Sequence, residues 1–221
     1  MTTLVLAEAV SVSDHKQPSR SKVAAERRRR PLTICFGVLI TVILFTTESR
    51  WPDHGLVREA LFLLGIGLAT AGMLGRVWSN LFISGYKSKE LVQCGPYSMC
   101  RNPLYFFSAI GMVGIGLCSG TLALPAIMIV FFAAYYPMII EREERRLAVR
   151  HPDEFEHYCV RTNAFWPRVS DFVEPDTYVM YPRAMRKNLA DAFWFVAFAA
   201  IVHIVSRLHA TELLPELFSI W

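Results

Sequence analysis

Charge is what this 221-residue chain has little of. Asp, Glu, Lys and Arg make up 19% of it, against ~25% in a typical soluble domain. Hydrophobic residues reach 53%, above the usual ~45–50%. Almost no charge interrupts five apolar runs, Leu32–Thr47, Leu56–Ile83, Pro103–Cys118, Leu122–Ile140 and Leu189–Leu208. That continuity argues against a soluble helical core and for a membrane. Cysteine is also sparse. None of Cys35, Cys94, Cys100, Cys118 and Cys159 falls in a CxxC or Cys/His ligand spacing, so neither a metal site nor a disulfide framework is expected. The first 15 residues lack the charged, apolar, small-residue order of a cleaved signal. No repeat or pair of broken helices of the kind that builds many transporters is visible.

A membrane helix needs roughly 17–25 mostly apolar residues. The second, fourth and fifth runs meet that alone. The first and third need flanking residues or protein contacts to complete a span. Basic residues alternate along the connectors. Lys16, Arg20, Lys22 and Arg27 to Arg30 precede the first run, Lys87, Lys89 and Arg101 follow the second, and nine Lys or Arg fall between Glu141 and Lys187. The other connectors hold Arg50 and Arg58, then none, and the C-terminal end holds Arg207. This is the pattern of an all-α integral membrane protein with about five transmembrane helices and a cytoplasmic N-terminus. Residues 1–30 read as a basic tail and 31–221 as one domain, with an additional C-terminal span at 189–208. Arg27–Arg30 reads as a topology anchor, with anionic lipid or nucleic acid as the alternative ligand. No nucleic-acid partner is expected.

Only Ser119, Gly120 and Thr121 separate the third and fourth runs, so these form a tight antiparallel hairpin. Small residues stripe the second run at Gly65, Ala69 and Gly72, and the third at Ser108, Gly111 and Gly114. Such stripes let membrane helices approach closely. Pro125 and Pro137 can kink the fourth run. Beyond it, Glu144, Leu147, His151, Phe155 and Tyr158 share one helical face, and Pro152 suits a first-turn position. Two helical pieces should therefore meet near His151 at the cytoplasmic surface, with a proline- and aromatic-rich loop from Arg161 to Lys187. His203 in the last span is either functional or a packed histidine. The closing LLPELFSIW has an apolar face suited to the far interface.

Two polar clusters converge on the side opposite the hairpin turn. One is QCGPYSMCRNPLY, residues 93–105; the other is Glu141, Glu143 and Glu144 with the Tyr158–Arg161 region. Each part has a plain explanation. Asn102-Pro103 can cap and start a helix, Arg101 fits the positive-inside bias, and the glutamates can pair with Arg145 and Arg146. The combination is more specific. It resembles the integral-membrane methyltransferases related to isoprenylcysteine carboxyl methyltransferase and phospholipid methyltransferase, which carry GPY…RHPxYxG, a hairpin, an EE pair and an aromatic stretch ending in proline. The matching parts are GPYSMCRNPLYFF from Gly95 to Phe107, Glu143-Glu144, and YCVRTNAFWP from Tyr158 to Pro167. The resemblance spans about Leu91 to Arg168. It departs at Asn102, where many relatives have histidine, and at Phe107, where many have glycine. A second RHP, Arg150-His151-Pro152, lies after the carboxylates and reads as a helix junction.

The resemblance implies S-adenosylmethionine as cofactor, a pocket on the cytoplasmic side formed with an amphipathic helix and loop, and a lipophilic, membrane-borne methyl acceptor, an isoprenylcysteine carboxylate-like or phospholipid-like group. It implies a bacterial inner membrane or an equivalent. Gly95, Tyr97, Arg101, Asn102, Pro103, Tyr105, Glu143 and Tyr158 are the cofactor-binding candidates. Arg101 suits the cofactor carboxylate, and Glu143 or Glu144 its ammonium or ribose. Tyr97, Tyr105 or Tyr158 suits the sulfonium, and Asn102 the adenine edge. Backbone at Gly95 could approach the ligand closely. Glu144 and Arg161 are the catalytic candidates, one as base toward an amine, the other orienting an anionic acceptor. The alternative is a non-catalytic membrane subunit or transporter-associated protein with the same helical layout.

Overall fold

The computed structural model describes residues 34–51, 55–84, 90–178, 180–211 and 218–220. The basic tail expected at 1–30, Lys87, Lys89 and most of the C-terminal LLPELFSIW lie outside the described residues. In chain order the elements are α1 (Ile34–Thr46), β1 (Thr47–Ser49), α2 (Leu56–Ile83), α3 (Pro96–Met99), α4 (Pro103–Leu117), α5 (Ala123–Arg150), α6 (Pro152–Arg161), a 3₁₀ turn (Val169–Asp171), α7 (Pro182–Ala210) and β2 (Phe218–Ile220). The chain divides after Val42 into two units. In the first, the described residues are helical, and Thr41 Oγ1 donates to Gly37 O at 2.8 Å. The second, Ile43–Trp221, holds the helices that build the site.

Among the described residues, three helices are long and apolar enough to cross a membrane: Leu56–Ile83, Ala123–Arg150 and Met185–His209. Ile34–Thr46 and Pro103–Leu117 are shorter, the two runs that need flanking residues or protein contacts to complete a span. The 15 residues of α4 rise ~22 Å, less than the ~30 Å hydrocarbon thickness. The helix does not stand alone in that space, because it lies against α2, α5 and α7. Leu63, Leu64, Ile129, Val130, Phe193 and Ile204 point outward and are exposed. Such apolar outer faces suit lipid.

The two small-residue stripes face each other. A side-chain carbon at Gly72 would lie 2.5 Å from Gly111 Cα, and one at Gly65 would lie 2.8 Å from Gly114 O. One at Gly114 would strike the backbone of Ala69. Backbone therefore touches backbone along α2 and α4, which is the close approach that small residues permit. Phe107, the bulky departure from the family pattern, is accommodated because Gly75 of α2 lies directly against its ring. The buried cluster where α2, α4 and α7 meet is Ala69, Cys118, Ala199 and Val202.

At the hairpin end, Gly120 takes φ +72°, which glycine adopts without steric cost. The turn is tied down by buried polar groups. Arg58 Nη2 donates to Ser206 O and Oγ, both at 2.9 Å, and Ser206 Oγ donates to Ser119 O at 2.8 Å. Ser49 Oγ donates to Gly120 O at 2.7 Å. His203 stacks on Phe62 with ring centroids 3.9 Å apart, the packing role. Pro125 falls in the first turn of α5, where no backbone bond is lost; Pro137 lies within the helix, which continues to Arg150. His151 then breaks the helix, and Pro152 opens α6, as the second RHP suggests. The closing segment contributes a strand, with Thr47–Ser49 and Phe218–Ile220 paired in parallel.

Gly72→Leu should prevent close packing of α2 on α4 and sharply lower the yield of folded protein in detergent. Overpacking typically costs about 1–3 kcal/mol, and backbone contact leaves little room to relax. Gly67 has nothing within 4 Å of its open side, so Gly67→Leu should leave the melting temperature almost unchanged. Equal melting behaviour in the two variants would contradict this packing.

Candidate functional site

The site forms where the start of α4 meets the second half of α5 and the loop after α6. Pro103 occupies the first turn of α4, its missing N–H costing nothing there. Asn102 precedes it but makes no side-chain cap. Its amide instead donates to Glu144 Oε1 at 3.0 Å and to Ala164 O at 2.9 Å. Capping therefore does not explain this asparagine. The same Glu144 oxygen accepts from Arg101 Nε at 2.9 Å. Arg101 Nη1 donates to Thr162 O at 2.8 Å and Cys159 O at 3.2 Å. The Arg101 backbone N–H donates to Asn163 O at 2.8 Å, and Arg168 N–H to Met99 O at 3.0 Å. One carboxylate and a few carbonyls thus fasten three separate segments together.

Around this clasp lies a cavity of about 350 Å³, within the range of ~300–1,000 Å³ usual for small-molecule sites. Tyr97, Arg101, Asn102, Tyr105, Glu143 and Tyr158 all line it. Tyr105 Oη donates to Glu143 Oε2 at 2.7 Å, and Tyr158 Oη donates to Tyr97 O at 2.6 Å. The Tyr97 hydroxyl is buried and meets no hydrogen-bond partner among the described residues. Burial first, and the Glu143 carboxylate second, push its phenol well above the usual range, so it is a neutral donor. Burial also raises the Tyr158 phenol. Beyond the polar wall an aromatic series continues. Tyr105 meets Tyr136 edge-on at 5.6 Å, Tyr136 stacks on Phe132 at 3.9 Å, and Phe132 meets Phe165 at 5.9 Å. Phe106 touches both Phe165 and Trp166.

Four candidates stand elsewhere. Gly95 has φ +60°, and the ring of Phe82 fills the space beside it. Its glycine identity thus serves the turn, and close approach to a ligand is not its use. Pro103 is fully buried in the helix start. Glu144 does not line the cavity and is engaged by Arg101 and Asn102, a holding position. Arg161 is exposed on α6, donates to Gln93 Oε1 at 2.8 Å, and is absent from the cavity wall. Arg101 lines the cavity while its Nε and Nη1 are engaged within the chain.

The cavity has polar residues that motif reading passes over. Arg146 and Arg150 line it from α5, with Glu143 on the same face, and Asn80, Ser84 and Asn188 line it from α2 and α7. The spacing 143, 146, 150 was a visible signal, three residues at helical steps. Asn188 carried none, being more than eighty residues from the motif.

Residues 58–152 match the phospholipid methyltransferase family. The chain is 39% identical over 177 residues to the nickel-cobalt-cadmium resistance protein NccN of Alcaligenes xylosoxydans xylosoxydans, covering 80% of this chain and 82% of that one. It is 37% identical over 177 residues to the cobalt-zinc-cadmium resistance protein CzcN of Cupriavidus metallidurans, covering 78% and 80%. The chain belongs to the family of NccN and CzcN. No solved structure matches it. The NccN/CzcN family thus carries, in this chain, a domain of the integral-membrane methyltransferase type; the matched span includes Arg101, Asn102 and Glu144 and stops short of the 159–164 carbonyls they bind.

Two outcomes follow from the clasp. Removing one member of a buried ion pair costs ~3–5 kcal/mol; with side chains 14% and 22% exposed, Glu144→Ala should cost about 2–4 kcal/mol, read as a lowered melting temperature, with Glu144→Gln intermediate. The second concerns Cys100 beside it, whose thiol burial pushes up from 9.0 to about 11. The folded state holds this proton more tightly, so the stability it contributes is complete below about pH 9 and lost as pH rises toward about 11. Cys100→Ala should lose less stability over that window than the natural protein in a series of thermal melts.

Proposed function

We propose that this protein transfers a methyl group from S-adenosylmethionine to a lipophilic acceptor held in the membrane. The observation that carries the reading is the Tyr97 hydroxyl, buried without a partner in the wall of a cavity that also presents Glu143, Arg146 and Arg150. A buried unmatched donor is costly and points to a missing acceptor. The residue types fit the cofactor. Glu143 and the Tyr97 hydroxyl suit its ammonium and ribose, and Arg146 and Arg150 suit its carboxylate, since Arg101 is engaged elsewhere. The tyrosine faces suit a sulfonium, an attraction of roughly 0.5–2 kcal/mol. When bound, S-adenosylmethionine supplies an electrophilic methyl group with a good leaving group already attached. The chain's task is then to orient the partners and exclude water. Glu144 and Arg101 fix the cavity wall, Glu143 holds Tyr105 in place, and Asn102 joins α4 to the loop after α6. The aromatic series from Tyr105 to Trp166 offers an apolar flank for a lipid-borne acceptor. The reading carries five spans, with the N-terminus and the cavity on the cytoplasmic side of a bacterial inner membrane or its equivalent.

A second reading is a non-catalytic membrane component of a metal-resistance system. The names of NccN and CzcN favour it, as does the mutual satisfaction of Arg101, Asn102 and Glu144, which is stable without any ligand. Equilibrium dialysis of the detergent-purified chain with radiolabelled S-adenosylmethionine separates the two. Saturable binding is expected, and Tyr97→Phe should weaken it about 2- to 10-fold, the loss of one hydrogen bond of ~0.5–1.5 kcal/mol, with an unchanged melting temperature. A folded natural protein that binds none leaves the second reading standing.

A further inference from the structure

The segment between α6 and α7 is no span, yet it turns large apolar side chains outward. Trp166 is 71% exposed, Val169 77%, Val173 61% and Phe172 39%. Residues three apart share a face in a 3₁₀ turn, so Val169 and Phe172 point one way while Ser170 and Asp171 lie off that face. An apolar group of this size on an exposed turn marks a surface that something covers.

The backbone of the same segment is provided for from within. Arg168 N–H donates to Met99 O at 3.0 Å, Asp171 N–H to Arg168 O at 3.1 Å and Phe172 N–H to Val169 O at 3.2 Å. Val173 N–H donates to Ser98 Oγ at 2.9 Å, and Val173 O accepts from Gly95 N–H at 2.7 Å. Water can satisfy the backbone of an exposed loop; hydrocarbon cannot.

The position of the turn agrees. Phe172 meets Trp78 of α2 with ring centroids 5.8 Å apart, and Trp166 meets Phe106 of α4 at 6.0 Å. The 28 residues of α2 rise ~42 Å, about 12 Å more than the ~30 Å hydrocarbon thickness. Centred in a bilayer, the helix leaves ~6 Å outside the hydrocarbon at each end. Trp78 stands ~7.5 Å before the end of α2, so it and the Phe172 ring fall at the boundary, the level where tryptophan collects. Leu74, one turn deeper on α2, is exposed on the outer surface. The turn therefore continues the face that α2 offers to lipid. Charged neighbours are compatible with that. Arg168 is exposed and its guanidinium forms no hydrogen bond or ion pair among the described residues, and its long stem lets the charge reach lipid phosphates. Asp171 accepts from Ser170 Oγ at 2.9 Å, and Glu174 is exposed where the chain leaves the turn.

We propose that residues 166–173 are an interfacial element seated in the lipid leaflet at the end of the bundle where α2 finishes and α4 starts, with Trp166, Val169, Phe172 and Val173 at the boundary between headgroups and acyl chains. The partner is the phospholipid bilayer. The inference rests on the membrane placement of α2 and α4 and is independent of the methyl-transfer reading. It also gives the clasp a foundation, because the chain that supplies Thr162 O to Arg101 and Ala164 O to Asn102 runs directly into the seated turn.

The test uses the full chain in phosphatidylcholine nanodiscs. The emission of the natural protein minus that of Trp166→Phe reports Trp166 among the five tryptophans. Lipid brominated high on its acyl chains should quench this difference signal more strongly than aqueous acrylamide does, by about twofold or more. Stronger quenching by acrylamide overturns the proposal. Protection from both quenchers overturns it as well, since a second copy or another protein would then cover the turn. Should Trp166→Phe not fold, a phosphatidylcholine carrying a diazirine next to its headgroup decides on the natural chain. Labelling within residues 166–173 supports the seat, and labelling confined to the membrane helices overturns it.

Discussion

A single carboxylate oxygen, Glu144 Oε1, carries the architecture of the site. It receives a guanidinium N–H from Arg101 and an amide N–H from Asn102, and the same two side chains reach the carbonyls of Cys159, Thr162 and Ala164. The membrane hairpin of α4 and α5 brings the acid and the arginine to one rim. The clasp then draws the irregular chain after α6 across them. Phe165 and Trp166 add apolar contacts of that loop to Phe106 and Phe132. The charge-assisted character of the bond matters here, because such bonds keep their strength in a partly dry setting. Glu143, one residue earlier, turns to a different side of the helix and serves the cavity. The acidic pair thus divides its labour, one residue for the frame and one for the ligand space.

The clasp depends in turn on how closely α2 and α4 approach. Backbone contact at Gly72 and Gly111 leaves no side-chain volume between them, and so α4 can be short and still fill its place in the bundle. The hairpin end is fixed by a different device, the hydrogen bonds linking Arg58, Ser206 and Ser119. Polar knots at both ends and a glycine seam between them describe a rigid scaffold. The aromatic flank from Tyr105 to Trp166 carries its exposed apolar area on the outside, where a bilayer would cover it.

Much of this was legible in the residues. The helix pair, the junction at His151, the packed His203, the facing small-residue stripes and the meeting of Arg101 with the acidic pair all follow from periodicity, turn chemistry and topology. Other features were not. Pattern alone cannot say whether a conspicuous arginine points at a ligand or at its own chain, and Arg101 points at its own chain. Arg161 and Gly95 belong to conspicuous motifs, yet one is held by Gln93 and the other by Phe82. Length alone marks three spans, and α4, too short by itself, lies against α2, α5 and α7, the protein contacts its short run calls for. Asn188 and Arg76 were invisible for a simpler reason. Asn188 stands in the polar start of α7 beside Arg186 and Lys187, Arg76 in the apolar body of α2, and only three-dimensional proximity to other residues gives either its meaning.

The departure at position 102 is then better understood as a substitution of means. A neutral imidazole offers one N–H donor, and its second nitrogen donates only on protonation. The Asn102 amide offers two donors from one nitrogen, and here both are used, toward a carboxylate and toward the Ala164 carbonyl. A histidine in the same seat would leave one of these acceptors unmatched near neutral pH or would have to carry a charge beside Arg101. The amide avoids both costs and makes the clasp insensitive to pH across the range where imidazoles titrate. Any acid or base chemistry in this chain must therefore be sited elsewhere than at residue 102, and the ionisable groups that remain at the cavity are Glu90, Glu143, the arginines and the tyrosines. That set favours holding and aligning charged partners over moving protons, which is the demand that a sulfonium donor places on a protein.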